Sequence, residues 1–156
     1  MVKTKFLFVG SRGCGKTTLI LALLDQYDEN MRILPTQCLN SYGPYIDLPG
    51  NYCDNPACYP ILSVCAQQAQ IVILVMAADQ SILMPEGFVH LFIRPVLGVI
   101  TKKDAVNADC ERAELYLHRT GVKDPIYSVS AQTGEGIDFF RQFLEKKSNR
   151  YTGNNS

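Results

Sequence analysis

Gly10-Ser11-Arg12-Gly13-Cys14-Gly15-Lys16-Thr17 lies between an apolar run at residues 6–9 and a helix-periodic stretch at 18–24. It fits the pattern GxxxxGK[ST], and a strand before it and a helix after it are the flanks that pattern requires. Glycines let the backbone curl so that successive N–H groups point inward at phosphate oxygens, and the positive end of the following helix faces the same anion. Lys16 is predicted to set an ammonium between the outer phosphates. The Thr17 hydroxyl, on the first helical turn, is predicted to hold a Mg²⁺ that bridges them, with Thr18 next to it. The segment is expected to bind a nucleoside phosphate.

Further along, Asp47-Leu48-Pro49-Gly50 follows the apolar pair Tyr45-Ile46 and matches DxxG. Its aspartate is expected near the metal, and the Gly50 N–H near the terminal phosphate. Thr101-Lys102-Lys103-Asp104, after the apolar run 96–100, resembles the [NT]KxD element of GTPases. A carboxylate at Asp104 can accept from both the ring N–H and the exocyclic amine of guanine, whereas adenine would leave it unpaired. The Lys102 stem can lie along the base. Ser130-Ala131-Gln132, after the run 126–129, resembles the loop whose backbone N–H groups meet the guanine oxygen. Four elements in this order predict a GTP/GDP site with Mg²⁺, whose candidate ligands are Thr17, Asp47 and Thr36.

The compact chain, the Asp47-x-Pro49-Gly50 form of the second element, the continuation Gly50-Asn51-Tyr52 and the stretch Pro35-Thr36-Gln37 resemble the EutP/PduV family. Those are small Ras-like GTPase-related proteins encoded with ethanolamine and propanediol utilisation pathways. The resemblance covers nearly the whole chain and implies association with a bacterial microcompartment, with a shell or pathway protein as partner.

Composition agrees with a single small G domain over 1–147 and a polar, disordered tail over 148–156. A chain of 156 residues, 47% hydrophobic, can bury a core on both faces of a sheet. Fifteen basic and fifteen acidic side chains leave no net charge to attract nucleic acid or anionic lipid. The first apolar run is too short for a signal-peptide core, and no stretch approaches the ~20 residues of a membrane span. The cytosol is the expected compartment, so the six cysteines are read as free thiols. Cys53, Cys58 and Cys65 lack CxxC spacing. Cys14, beside loop N–H groups and Lys16, is expected to have a lowered pKa and to be the thiol most open to alkylation without nucleotide.

Periodicity places strands at 6–9, 36–42, 45–48, 71–76, 96–100 and 126–129, and helices at 16–24, 61–70, 108–119 and 136–147. The alternation predicts a three-layer α/β P-loop NTPase of the Ras-like type. Its sheet is mostly parallel with one antiparallel edge strand, and the nucleotide lies at the carboxyl ends of the strands. The crossover at 80–94 is short and interrupted by Pro85-Glu86-Gly87. Its cluster Phe88, Val89, Leu91 and Phe92 is read either as packing on the sheet or as a partner-binding patch.

The residue after DxxG is Asn51, one methylene shorter than the glutamine that orients water in Ras-like hydrolases, so intrinsic hydrolysis is expected to be slow. Lys16 and Asn51 are the candidate catalytic residues. Three function classes follow. One is a slow GTPase or switch accessory to ethanolamine or propanediol utilisation. Another is a nucleotide-dependent kinase of a small acid of the acetate type, with Arg12, Arg32 and Arg94 as candidate acid-binding cations. The last is a nucleotide-binding docking component with negligible turnover.

Overall fold

In the computed structural model, residues 3–81 and 84–153 are described. The chain runs β1 (Phe6–Val9), α1 (Lys16–Leu23), β2 (Asn40–Tyr42), β3 (Tyr45–Asp47), α2 (Asn51–Asp54), α3 (Tyr59–Ala66), β4 (Ile71–Ala77), β5 (Val96–Thr101), α4 (Cys110–Thr120), β6 (Ile126–Ser128) and α5 (Ile137–Gly153). The six strands form one sheet of order β2-β3-β1-β4-β5-β6. All neighbours are parallel except β2 on β3, where Ser41 sits opposite Ile46. The chain therefore has the predicted P-loop NTPase-like α/β fold with one antiparallel edge strand.

The central strands read as unbroken apolar runs because both of their faces are covered. Leu7, Val9, Val72, Leu74 and Met76 point into one core with Leu62 of α3 and Leu117 of α4. Phe6, Phe8, Ile71, Ile73 and Val75 point into the other with Leu19 of α1 and Phe140 of α5. The period of two along β1 and β4 thus builds two cores with helices outside each. Strand order reverses at β1, which pairs with β3 on one side and β4 on the other, so a crevice opens at its carboxyl end.

Several details depart from the sequence reading. The edge strand is confined to Asn40–Tyr42, and residues 36–39 run without ladder pairing. Helix α3 begins earlier, at Tyr59, with Pro60 in its first turn where a missing N–H costs nothing, and it ends at Ala66. The last helix extends to Gly153, so residues 148–153 are helical where a disordered tail was expected. Tyr151 packs on the core, and the Thr4 hydroxyl donates to the Ser148 carbonyl at 3.3 Å. The expected tail at 154–156 lies outside the described residues.

For the Phe88–Phe92 cluster, the first of its two readings, packing on the sheet, holds. Phe88 and Phe92 are buried, stacked edge-on to each other at 5.8 Å, with Tyr59 against Phe88 at 5.4 Å. A short 3₁₀ turn at Phe88–Leu91 is tied down by Ser63 Oγ donating to Leu91 O at 2.7 Å and by Gly87 N donating to Arg119 O at 3.1 Å. This segment packs on the sheet, and its aromatic rings are not available to a partner. Among the described residues no helix is long and apolar enough to cross a membrane.

Candidate nucleotide site

The loop between β1 and α1 has its carbonyls satisfied and part of its N–H groups left open. Every carbonyl from Gly10 to Gly15 has an internal donor. Lys16 Nζ serves Gly10 O (2.9 Å) and Ser11 O (3.3 Å), Gln80 Nε2 serves Arg12 O (3.4 Å), and Lys102 Nζ serves Gly13 O (2.8 Å). Thr101 Oγ1 serves Cys14 O (2.5 Å), and Leu19 N serves Gly15 O (2.9 Å). By contrast, the N–H groups of Gly13, Gly15, Thr17 and Thr18 have no internal acceptor among the described residues. The first N–H groups of a helix have no partner within it, so those of Gly15, Thr17 and Thr18, with Gly13 just before them, are open to an anion. Gly15 precedes the helix with φ +88°, a conformation that side chains disfavour, and no side chain caps α1. The helix N-terminus stays open for the same anion.

Three oxygens meet beneath this loop. Thr17 Oγ1 donates to Asp47 Oδ2 in a very short contact, Thr36 Oγ1 lies 2.9 Å from the same oxygen, and the two hydroxyls are 3.0 Å apart. Asp47 is fully buried, and its Oδ1 has no partner. A buried carboxylate oxygen left unpaired is costly, and two hydroxyls plus a carboxylate are the oxygen-only donor set a hard divalent cation takes. Sequence spacing named these three residues, and the fold brings them together. β3 delivers Asp47, the α1 first turn delivers Thr17, and the irregular segment before β2 delivers Thr36.

At the end of β5, Thr101 is buried, and its hydroxyl ties β5 to the Cys14 carbonyl in the loop between β1 and α1. One hydroxyl thus holds the loop where an asparagine, the other residue that the [NT]KxD pattern allows, would use its amide. Thr101→Ala leaves the buried Cys14 carbonyl without its donor and is expected to cost about 1–3 kcal/mol, measured by urea denaturation. Thr101→Ser, which keeps the hydroxyl, should cost less than half of that. Lys102 has φ +58°, a backbone strain of about 1–3 kcal/mol that places its amine over Gly13 O and 3.9 Å from Asp79 Oδ2. The Asp104 carboxylate is fixed at Oδ1 by Ser130 Oγ at 2.7 Å. Ser130 Oγ in turn accepts from Thr133 N at 3.1 Å.

These elements enclose two cavities that share Gly15, Thr18 and Lys102. One, of about 370 Å³, is lined by Lys102, Asp104, Ala131 and Gln132, with Tyr27 and Asp79 beside them. The other, of about 600 Å³, is lined by Arg12, Lys16, Thr17, Thr36, Gly50 and Asn51, and no carboxylate lines it. Arg12, Lys16 and Lys102 make it a cationic cleft. Ser11 and Cys14 are buried, and at the loop's root a Cβ on Gly10 would lie 2.6 Å from Val75 O and 2.7 Å from Cys14 Sγ. Gly50 presses on the loop from the side: a Cβ there would lie 2.5 Å from Arg12 N and Cα, so only glycine permits the approach.

Tyr27, Asp79, Gln80 and Asp54 were not visible as site residues in the sequence. Tyr27 lies in the unpatterned stretch after α1, and Asp79 and Gln80 follow β4 without a motif. Asp54 reaches across from α2 to accept from Arg12 N at 3.0 Å. That contact spans 42 residues and carries no local signature.

The expectation for Cys14 is overturned. Its thiol is 1% exposed, and burial pushes its pKa up, outweighing the Lys16 amine 3.7 Å away. Burial likewise pushes Cys53 up to about 12. All six cysteines are free, and Cys38 is exposed. Alkylation of native protein at pH 8 should label Cys38 and spare Cys14 and Cys53 with or without nucleotide. Peptide mapping that finds Cys14 modified at a rate comparable to Cys38 would contradict this burial.

The family model for PduV-EutP, described as ethanolamine utilisation - propanediol utilisation, matches residues 3–146. The chain is 31% identical over 146 residues to the propanediol utilization protein PduV of Citrobacter freundii, covering 92% of this chain and 94% of the relative. It is 29% identical over 142 residues to the probable acetate kinase EutP of Escherichia coli strain K12, covering 90% and 88%. The probable acetate kinase EutP of Salmonella typhimurium strain LT2 is 30% identical over 135 residues, covering 85% and 84%. With the match running through both cavities and nearly the whole fold, the chain belongs to the PduV-EutP family of ethanolamine and propanediol utilisation proteins.

Proposed function

We propose that this protein binds guanine nucleotides with Mg²⁺, hydrolyses GTP slowly, and acts as an accessory of ethanolamine or propanediol utilisation. The observation that carries the guanine assignment is Asp104 lining the smaller cavity with its carboxylate orientation fixed by Ser130. Such a carboxylate can accept two N–H groups from the guanine edge, and a base lacking them leaves it unpaired. The adjoining cationic cleft takes the phosphates, with the free N–H groups of the loop and Lys16 as donors. Lys16 would move its amine from the loop carbonyls toward the outer phosphates. Thr17, Thr36 and Asp47 would hold Mg²⁺, which when bound neutralises charge on the phosphate oxygens. Asn51 is exposed at the edge of the cleft, and its shorter reach to an attacking water underlies the slow turnover. The place of action is the cytosol, at or near a microcompartment, with a shell or pathway protein as the partner.

Calorimetric titration of nucleotide-free protein with GDP, GTP and ATP in Mg²⁺ buffer tests this. Guanine nucleotides are expected to bind about 10²-fold more tightly than ATP, and equal or tighter binding of ATP would overturn the assignment. Single-turnover hydrolysis should be on the order of 10⁻⁴ s⁻¹, in the range of unstimulated Ras-type enzymes. The names of the Escherichia coli and Salmonella relatives favour a second reading, phosphoryl transfer to a small carboxylic acid. Nucleotide consumption that rises with added acetate and yields acetyl phosphate would select it.

A further inference from the structure

The phosphate cleft has three cations on its walls, and they differ in how they are engaged. Lys16 Nζ is bound to Gly10 O and Ser11 O, and Lys102 Nζ to Gly13 O. The Arg12 guanidinium is exposed and makes no hydrogen bond or ion pair among the described residues. The Arg12 backbone, however, is held on three sides. Its N–H is bound by Asp54, its carbonyl by Gln80, and Gly50 lies directly against its N and Cα. A fixed backbone carrying a free guanidinium is a pre-organised fork for an anion, since less freedom is lost when it binds.

Position within the cleft says which anion group this is. The smaller cavity joins the cleft at Gly15, Thr18 and Lys102, whereas Gly50 and Asn51 line the cleft beside Arg12 and take no part in the smaller cavity. A nucleotide with its base at Asp104 therefore enters the cleft at the Gly15 end, and the far end of its phosphate chain lies toward Arg12. Resting on the nucleotide-binding reading above, we propose that Arg12 is the residue that reads the terminal phosphate. Its guanidinium distinguishes a nucleoside triphosphate from a diphosphate by charge-assisted hydrogen bonds that only the third phosphate can accept.

The test is the ratio of GDP to GTP dissociation constants for wild type, Arg12→Ala and Arg12→Lys, by fluorescence titration in Mg²⁺ buffer. Alanine keeps the N–H and carbonyl that Asp54 and Gln80 hold, so retained GDP binding also reports an intact cleft. In Arg12→Ala, GTP binding should weaken about 10-fold or more while GDP changes by less than about 2-fold. Arg12→Lys should recover part of the loss, because it restores charge without the planar fork. Equal weakening for both nucleotides, or no change in either, overturns the proposal. Running ADP and ATP in parallel separates it from the base assignment. If wild type prefers the adenine pair, the guanine reading fails and the same ratio still tests Arg12. If it binds neither pair, both fall together.

Discussion

Lys16→Ala protein is expected to bind GTP at least about 10²-fold more weakly than wild type, with GDP weakened by a similar factor. Lys16 is 6% exposed, and its amine sits on the carbonyls of Gly10 and Ser11, beneath the N–H groups left open by the loop. Each charge-assisted hydrogen bond to phosphate contributes about 1.5–3 kcal/mol, and loss of two of them exceeds a hundredfold in affinity. The substitution also removes the buried aliphatic stem, so Lys16→Met, which keeps the stem but loses the same charge and the same donor to Gly10 O, separates lost charge from lost packing. Lys16→Met is expected to lose GTP binding as fully as Lys16→Ala while keeping a higher melting temperature than the alanine variant. Undiminished GTP affinity in both variants would mean that the cleft between α1 and Gly50 is not where phosphate binds.

The loop is legible in the sequence because its chemistry is local. Gly15 must adopt a positive φ where β1 gives way to α1, and Lys16 and Thr17 follow it without interruption. Asp47 was legible for a related reason: it ends a strand that pairs with β1, so its distance along the chain is converted by the sheet into closeness at the strand ends. The rest depends on contacts that sequence does not advertise. Asp54 meets Arg12 only because α2 turns back over the loop at Gly50, and Tyr27 reaches the smaller cavity from a stretch with no periodicity. Cys14 was misread because loop membership predicts nearby positive charge but not burial, and desolvation decides its pKa. The final helix was cut short in the sequence reading because its last turns are polar, and the anchoring Tyr151 is a single residue outside the clear pattern.

Strand ends supply the site with rigidity, and irregular segments supply it with adaptability. Asp47, Thr101 and the buried Ser130 sit at or just beyond β3, β5 and β6, fixed by the two cores beneath them. Thr36, Gln37 and the exposed Leu34 line the cationic cleft from a segment with no ladder pairing, so this wall can move with little loss of buried surface. A ligand that bridged Thr36 to Thr17 would order that wall against a rigid floor. The arrangement suits a protein whose outer face changes with what the cleft holds.

Asp104→Asn is expected to weaken guanine nucleotides by about 10²-fold or more while leaving the phosphate contacts in place. The aspartate offers two acceptor oxygens, one steadied by Ser130 Oγ. Asparagine would present an N–H₂ to the exocyclic amine of guanine, donor against donor, and leave that pair unmade. Xanthine carries a carbonyl in place of that amine and would accept from the same N–H₂. The Asn variant should therefore gain xanthosine diphosphate binding as it loses GDP, a reversal that general loosening of the cavity cannot mimic. Ser130→Ala, which removes only the hydroxyl holding Oδ1, should cost roughly 5-fold to 10-fold for GDP without any gain for the xanthine nucleotide. If Asp104→Asn lowers GDP and xanthosine diphosphate binding alike, the carboxylate supports the loop instead of reading the base, and the base specificity of this cavity would have to come from the backbone at Ala131 and Gln132.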